Sequence, residues 1–315
     1  MRLFDVLPAP DDVHGPRTEV VEADMRDAAR LRDAARGVEV VYHLAAGQRM
    51  KPQFAAMSEA EIHAMNVAGV ANVLAAAEAG GVRKVVHVSS SGVYGIPRTV
   101  PVTEEHPQRP LGAYGRSKIE AEERCLEFVA RGGDVTILRP MSLFGPHMSG
   151  VFLILFDWIH RGKNVYLLGA GRNVVQMVTA WDVADACMLA ATAAGARGAI
   201  LNLGADATTT VRQQVDALIA HARSRSRVIP IPAGLLRAAA RGLGLVGLSP
   251  IVPEHYLLAD STFILDTGRA RSVLGWRPRL DNVALMIDAY DWYAANAAHA
   301  APRRGPILAL LDAFS

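Results

Sequence analysis

Apolar residues in the first half of the chain gather into short runs, separated by stretches with a helical period. Arg2–Leu7 predicts a strand, a Pro/Asp/Gly loop follows, and Glu19–Glu22 predicts a second strand. A helix comes next, with Asp27 near its start and Gly37 past its end. Val38–Leu44, read as VEVVYHL, is a continuous apolar run suited to a sheet covered on both faces. Ser58–Ala79 predicts a long helix that stops at Gly80-Gly81, where glycine tolerates the left-handed turn. Val85–Ser89 is the next buried strand, a helix runs from Tyr114 to Arg131, and Val135–Arg139 is another strand. Strands alternating with helices of ordinary length predict right-handed crossovers and an α/β fold with a parallel sheet.

Past Gly145-Pro146 the alternation loosens. Helices are expected at Val151–Arg161, Trp181–Ala193, Val211–Ala222 and Asn282–Ala297, with short strands at Val165–Leu168 and Ile200–Leu203. Two parts follow: residues 1–146 as the sheet domain, and 147–315 as a smaller α/β lobe that folds partly back on the sheet. At 315 residues the chain can bury a full core.

Composition removes several classes of function. A formal net charge of +2 gives no general attraction to polyanions. The short basic clusters at His221–Arg227 and Arg303-Arg304 lack interleaved aromatic residues, so they read as solvated surface and no nucleic-acid partner is expected. Cys125 and Cys187 lie far apart in apolar helical patterns, which predicts buried free thiols, a reducing compartment and no metal site. The longest apolar run, Val151–Ile159, is interrupted by Asp157 and falls short of the roughly 20 residues a membrane span needs. The first residues lack the basic and apolar regions of a signal peptide, so a cytoplasmic protein is expected.

The sharpest chemistry lies in Val85–Lys118. An apolar run ends in Ser89-Ser90-Ser91, and Tyr114-x-x-x-Lys118 follows at the head of a helix. A free tyrosine, with a pKa of about 10, is a poor base near neutrality, and lowering it to about 7 takes roughly 4 kcal/mol of preferential phenolate stabilisation. Lys118, one helical turn away on the same face, is placed to supply part of that. A serine hydroxyl can hydrogen-bond the substrate oxygen whose proton the tyrosine moves. The bland alternative is that the three serines only end a strand. His43 and His87, inside apolar strands, are expected to be packed core histidines.

With these segments in place, the chain resembles the extended short-chain dehydrogenase/reductases, in the NAD-dependent epimerase/dehydratase branch typified by nucleotide-sugar epimerases. The resemblance rests on VVYHLAA (Val40–Ala46), NVAGVANVLAAA (Asn66–Ala77), VSSSGVYG, YGRSK, LRPMSLFGP (Leu138–Pro146), the G-x-G…V-x-D-V-A-x-A pattern of Gly169–Ala186 and DTGRARSVLGWRP (Asp266–Pro278). It implies a Rossmann-type domain and NAD as cofactor. It makes Tyr114 the acid/base, Lys118 its tuner and ribose anchor, and Ser90, four residues before Tyr94, the catalytic serine. Ser91 becomes a neighbour that touches substrate, and Ser89 a cofactor contact at the strand end. On the cofactor side the resemblance further implies Asp5 on the ribose hydroxyls, Asp24 at the adenine amino group, Leu44, Ala45 and Ala46 in the cofactor loop, Asn66 as support and Pro140 beside the nicotinamide. A homodimer is implied through the helices Ser58–Ala79 and Tyr114–Arg131.

Two departures stand out. The resemblance implies a first strand and a glycine-rich turn leading into a helix, about two dozen residues that do not appear before Arg2–Leu7. In the expected 3-2-1-4-5-6 order that strand lies between those of Asp5 and Val40–Leu44. An internal methionine of a longer enzyme is expected as the explanation; the alternative is a relative without cofactor binding that serves as a binding or scaffold protein. On the substrate side, Val174 and Val175 stand where nucleotide-sugar members carry a diphosphate-clamping arginine, and Arg172 is the available substitute. A nucleotide sugar is expected, with a less charged alcohol such as a sterol-like one as the alternative. Ser91 and Gly92 in place of acidic residues argue against a dehydratase.

Overall fold

The computed structural model describes residues 1–9, 15, 17–48, 56–146, 151–206, 209–232 and 261–300. Two short strands open it, β1 (Arg2–Asp5) and β2 (Glu19–Glu22), paired in parallel. Helix α1 (Ala28–Ala35) starts where the Asp27 carboxylate accepts the backbone N–H groups of Ala29 and Arg30. Then come β3 (Val40–His43), α2 (Glu59–His63) and α3 (Gly69–Gly80). Ser58 and Glu61 form a reciprocal cap at the start of α2, and Gly81, left-handed at φ 66°, stops α3 where the sequence placed the stop. The expected single helix is divided by a π-helical turn, Ala64–Ala68, which buries Asn66 and Val67.

The main sheet continues with β4 (Lys84–Val88), helix α4 (Ala113–Ala130) and β5 (Val135–Pro140). Next in the chain are β6 (Leu143–Phe144), α5 (Val151–His160), β7 (Val165–Leu168), β8 (Val178–Thr179), α6 (Ala180–Ala190) and β9 (Ile200–Leu203). Helix α7 (Val211–His221), β10 (Val228–Ile231) and the helices Gly268–Leu274 and Asn282–Ala300 complete the order.

The continuous apolar strands are explained by what covers them. Val86, Leu138 and Leu201 pack on the α6 side with Val183, Cys187 and Trp276, while Val85, Val135 and Ile137 pack on the other side with Val70, Leu74, Ala121 and Phe128. Neighbouring residues in one strand thus point into different cores. The four-stranded parallel sheet runs β3-β4-β5-β9, so Ile200–Leu203 crosses back from the second half to pair with β5. A second core gathers Phe144, Phe156, Trp158 and Leu218 with Leu285, Tyr290 and Tyr293. Both cysteines are free and buried. Among the described residues, no helix is long and apolar enough to cross a membrane.

Candidate active site

β4 delivers the serine cluster to the carboxyl end of the sheet. Ser90 is extended (φ −163°, ψ 149°), its Oγ accepts the Gly92 N–H at 3.0 Å, and a short 3-10 turn, Ser91–Val93, follows. Helix α4 starts close against this turn. A Cβ on Gly92 would lie 3.3 Å from Ser90 Oγ and 3.9 Å from the Tyr114 ring, and one on Gly115 would lie 2.7 Å from the Gly92 carbonyl oxygen. The absence of a side chain at Gly115 therefore lets the first turn of α4 bring Tyr114 to Ser90.

Lys118 lies one turn further along α4, buried, with Nζ 5.8 Å from the Tyr114 ring centroid. It donates to the Val88 carbonyl at 2.9 Å. Burial pushes the Tyr114 phenol up to about 12, and a hydrogen bond with the Ser90 side chain draws it partly back. Desolvation dominates here, and the Lys118 ammonium donates to the strand carbonyl.

The loop after β3 is fastened to the same helix. Asn66 Oδ1 accepts the Gly47 N–H at 2.7 Å, and its amide nitrogen donates to the Gly47 carbonyl at 3.0 Å and to Ser117 Oγ at 2.9 Å. Leu44 and Ala45 are exposed and Ala46 is half-buried, so a ligand can reach this loop's main chain. Asp5 ends β1 with its carboxylate accepting the Leu7 N–H at 2.9 Å and otherwise exposed. Asp24 is clamped by Arg26, whose guanidinium donates to both carboxylate oxygens; that hydrogen bonding holds its pKa below the ordinary aspartate value. Pro140 is buried at the end of β5, and Ser91 is buried in the 3-10 turn. Arg172 is exposed on the loop after β7, and no hydrogen bond ties it to Ser90, Tyr114 or Lys118.

Ser89 departs from its expected role. Its hydroxyl turns inward and donates to Glu122 at 2.5 Å, while its N–H donates to the Leu138 carbonyl. Glu122 also receives Arg139 through two bonds, Nε at 2.9 Å and Nη2 at 2.6 Å, and both side chains are 3% exposed. Arg139 donates onward to Tyr94 Oη at 2.8 Å, which donates to Asn202. This buried network supports the serine turn from below. One signal was available in the sequence: Glu122 follows Lys118 at i+4 on the buried stripe of α4.

The two strand histidines face each other in register across β3 and β4. Their rings stack with Nδ1 atoms 2.9 Å apart, and both Nε2 atoms are buried without a partner among the described residues. Such a pair shares one Nδ1 proton, so one Nε2 is a bare acceptor and the other a bare donor. Burial, reinforced by the Lys118 charge, pushes His43 down to about 3 and His87 well below its ordinary value, so both are neutral. They are packed core histidines, as expected.

The carboxyl ends of β1, β3, β4 and β5 therefore carry a carboxylate, an accessible loop, a serine–tyrosine–lysine set and a proline. That is the side on which open parallel sheets bind ligands. The family model of the NAD dependent epimerase/dehydratase family matches residues 5–204. The chain belongs to this family. A UDP-glucose 4-epimerase of Mycolicibacterium smegmatis is 31% identical over 279 residues, covering 83% of this chain and 78% of the relative. An uncharacterized protein of Sinorhizobium fredii is 36% identical over 322 residues, covering 99% of this chain and 79% of its own length. Among solved structures, a double mutant of the dTDP-glucose 4,6-dehydratase of Streptomyces venezuelae with NAD bound superposes at a TM-score of 0.72 with 25% identity, covering 94% of this chain and 88% of that one.

The donor set of this family member suits a dinucleotide at its two ends. Asp5 offers an exposed carboxylate for ribose hydroxyls, and Lys118 brings a cation beside Tyr114. A glycine-rich turn entering a helix is not found among the described residues.

Proposed function

We propose that the protein is an NAD-dependent epimerase acting at a hydroxyl-bearing carbon of a nucleotide sugar. The observation that carries this reading is the meeting of Ser90 and Tyr114 beside Lys118 at the carboxyl end of the parallel sheet. Tyr114 Oη takes the proton of the substrate hydroxyl and returns it, and Ser90 Oγ hydrogen-bonds the same oxygen throughout. Lys118 favours the phenolate once it turns from the Val88 carbonyl toward the site, and it anchors the cofactor ribose. NAD, when bound, supplies the two-electron acceptor. Asp5 would hold its adenine-side ribose, and the Leu44–Ala46 loop, braced by Asn66, and Pro140 would contact it. The nucleotide-sugar substrate is supported by the relatives' names and by Arg172, whose exposed cation is available to a diphosphate.

Incubation with NAD and UDP-glucose, followed by anion-exchange separation of the UDP-hexoses, is expected to show approach to a UDP-glucose/UDP-galactose mixture. Unchanged UDP-glucose, with dTDP-glucose and UDP-glucuronic acid also untouched, would sink the reading. A folded sample that also fails to bind NAD would point instead to a binding protein.

The same reading places a second copy on α3 and α4. Ala71 and Ala75 are exposed beside Arg124 and Glu127, leaving a small-residue surface between the two helices edged by charge. Sedimentation is expected to give twice the 33.7 kDa chain mass, falling to one chain mass in Ala75→Trp. A monomer at micromolar concentration would remove the dimer.

A further inference from the structure

Helix α4 carries Tyr114 in its first turn, yet that turn has no cap of its own. Gly112, at the N-cap position, has no side chain to accept a backbone N–H, and no acidic residue stands in the turn. Helix ends fray, so local sequence leaves Tyr114 on the least fixed part of α4.

The anchor comes from the side. Ser117, buried in α4, donates its hydroxyl proton to the Tyr114 carbonyl at 2.8 Å, and the same oxygen accepts Asn66 Nδ2 at 2.9 Å. Asn66 stands on the π-helical turn between α2 and α3, and its amide holds both the N–H and the carbonyl of Gly47. Gly47 is pressed onto that turn: a Cβ there would lie 2.9 Å from Met65 Sδ and 3.1 Å from Met57 Cε. Hydrogen bonds of 2.7–3.0 Å thus run without a break from the loop after β3 to the main chain of Tyr114. Two exposed contacts flank them, Glu59 with Arg116 at 2.9 Å and Glu120 with His63 at 2.7 Å. Exposed pairs contribute little, so the buried Asn66–Ser117 bond is the polar contact that fixes α4 against the π turn.

We propose that Ser117 is a positioning residue for Tyr114: it holds the uncapped first turn of α4 to the Asn66–Gly47 clasp, so that order in the loop after β3 reaches the phenol. Helix stability does not explain a serine here. Alanine is the better helix former, and a hydroxyl that bonds a carbonyl three residues back competes with the helix's own ladder. The turn it holds has little slack, because a Cβ on Gly115 would lie 2.7 Å from the Gly92 carbonyl oxygen. A small tilt of that turn therefore alters the hydrogen bond between Tyr114 and Ser90. Ser117 acts through the Tyr114 carbonyl and takes no part in the proton transfer. The effect on turnover rests on the reading of Tyr114 as the acid/base; the anchoring of the turn does not.

Ser117→Ala removes one oxygen and introduces the best helix former, so circular dichroism should match the parent. Hydrogen exchange at the Arg116 and Lys118 amides is expected to speed about fivefold or more, while β4 and β5 keep their protection. With UDP-glucose and NAD, kcat should fall about tenfold to a hundredfold and KM should stay within about threefold. The acid limb of the pH profile should move to higher pH, because the Ser90 hydrogen bond that draws the phenol down is disturbed. Ser117→Thr keeps a hydroxyl able to make the same bond and should restore kcat. In a Tyr114→Phe background, Ser117→Ala should lower turnover no further, since the oxygen it positions is gone. Faster exchange in Ser117→Ala, beside a parent that turns over no nucleotide sugar, would sink the epimerase reading and uphold the anchoring. The proposal is overturned if the first turn of α4 exchanges as slowly in Ser117→Ala as in the parent, or if the loss of kcat persists in full in the Tyr114→Phe background.

Discussion

Tyr114→Phe is expected to lower kcat by about three orders of magnitude, the range lost when a positioned acid/base is removed. Circular dichroism and cofactor affinity should stay near their original values. The reason is local. The phenol is the one group at the serine turn that can exchange a proton with a substrate hydroxyl, and the ring's packing against Gly92 survives the loss of one oxygen. Ser90 cannot take over, because an alcohol is far too weak an acid to exchange that proton near neutrality. The pH profile gives a second reading. Burial holds the unliganded phenol at about 12, so turnover depends on positive charge that lowers it, and the rate should fall tenfold per unit of pH below its working pKa. Lys118→Met removes one such charge and should move that limb to higher pH. Turnover within tenfold of the parent in Tyr114→Phe would overturn the assignment of the base.

Breaking the Glu122–Arg139 pair is expected to have the largest effect on stability. Burial works against the Arg139 charge, yet the Glu122 carboxylate overcomes this and raises its pKa. Glu122→Leu leaves a buried guanidinium without its counter-ion and should cost about 3–5 kcal/mol. Glu122→Leu combined with Arg139→Met should recover much of the loss, because no charge is then stranded. Urea unfolding of the two single variants and the double variant measures this directly. Ser89 loses its acceptor in every Glu122 variant, so the adjoining Ser90 turn should loosen and kcat should fall more than KM rises. A single variant as stable as the parent would show that the pair is not holding the turn.

Much of this site was legible in the chain itself. The four-residue step from Tyr114 to Lys118 survives in any α-helix, because local spacing alone sets which side chains share a face. Val38–Leu44 signalled a sheet covered on both sides, which holds for Val85 and Val86 on β4 but not for Tyr42 on β3, which is 37% exposed, and Gly81 signalled the end of α3 through local sterics. The two-residue strands at Leu143–Phe144 and Val178–Thr179 left no trace, since two residues carry no period. The Val228–Ile231 strand was masked by Pro230. Ser89 read as a cofactor contact because its partner Glu122 lies 33 residues away.

The sequence by itself thus determined the alternation of elements and the parallel sense of the sheet, both consequences of periodicity, and the spacing of Tyr114 and Lys118 on one helix face. Only the tertiary structure decided that Lys118 is engaged by the Val88 carbonyl and that the phenol is raised. It alone paired Glu122 with Arg139 and stacked His43 on His87. Desolvation, buried ion pairs and strand edges depend on what distant segments bring into contact, and no local pattern encodes that.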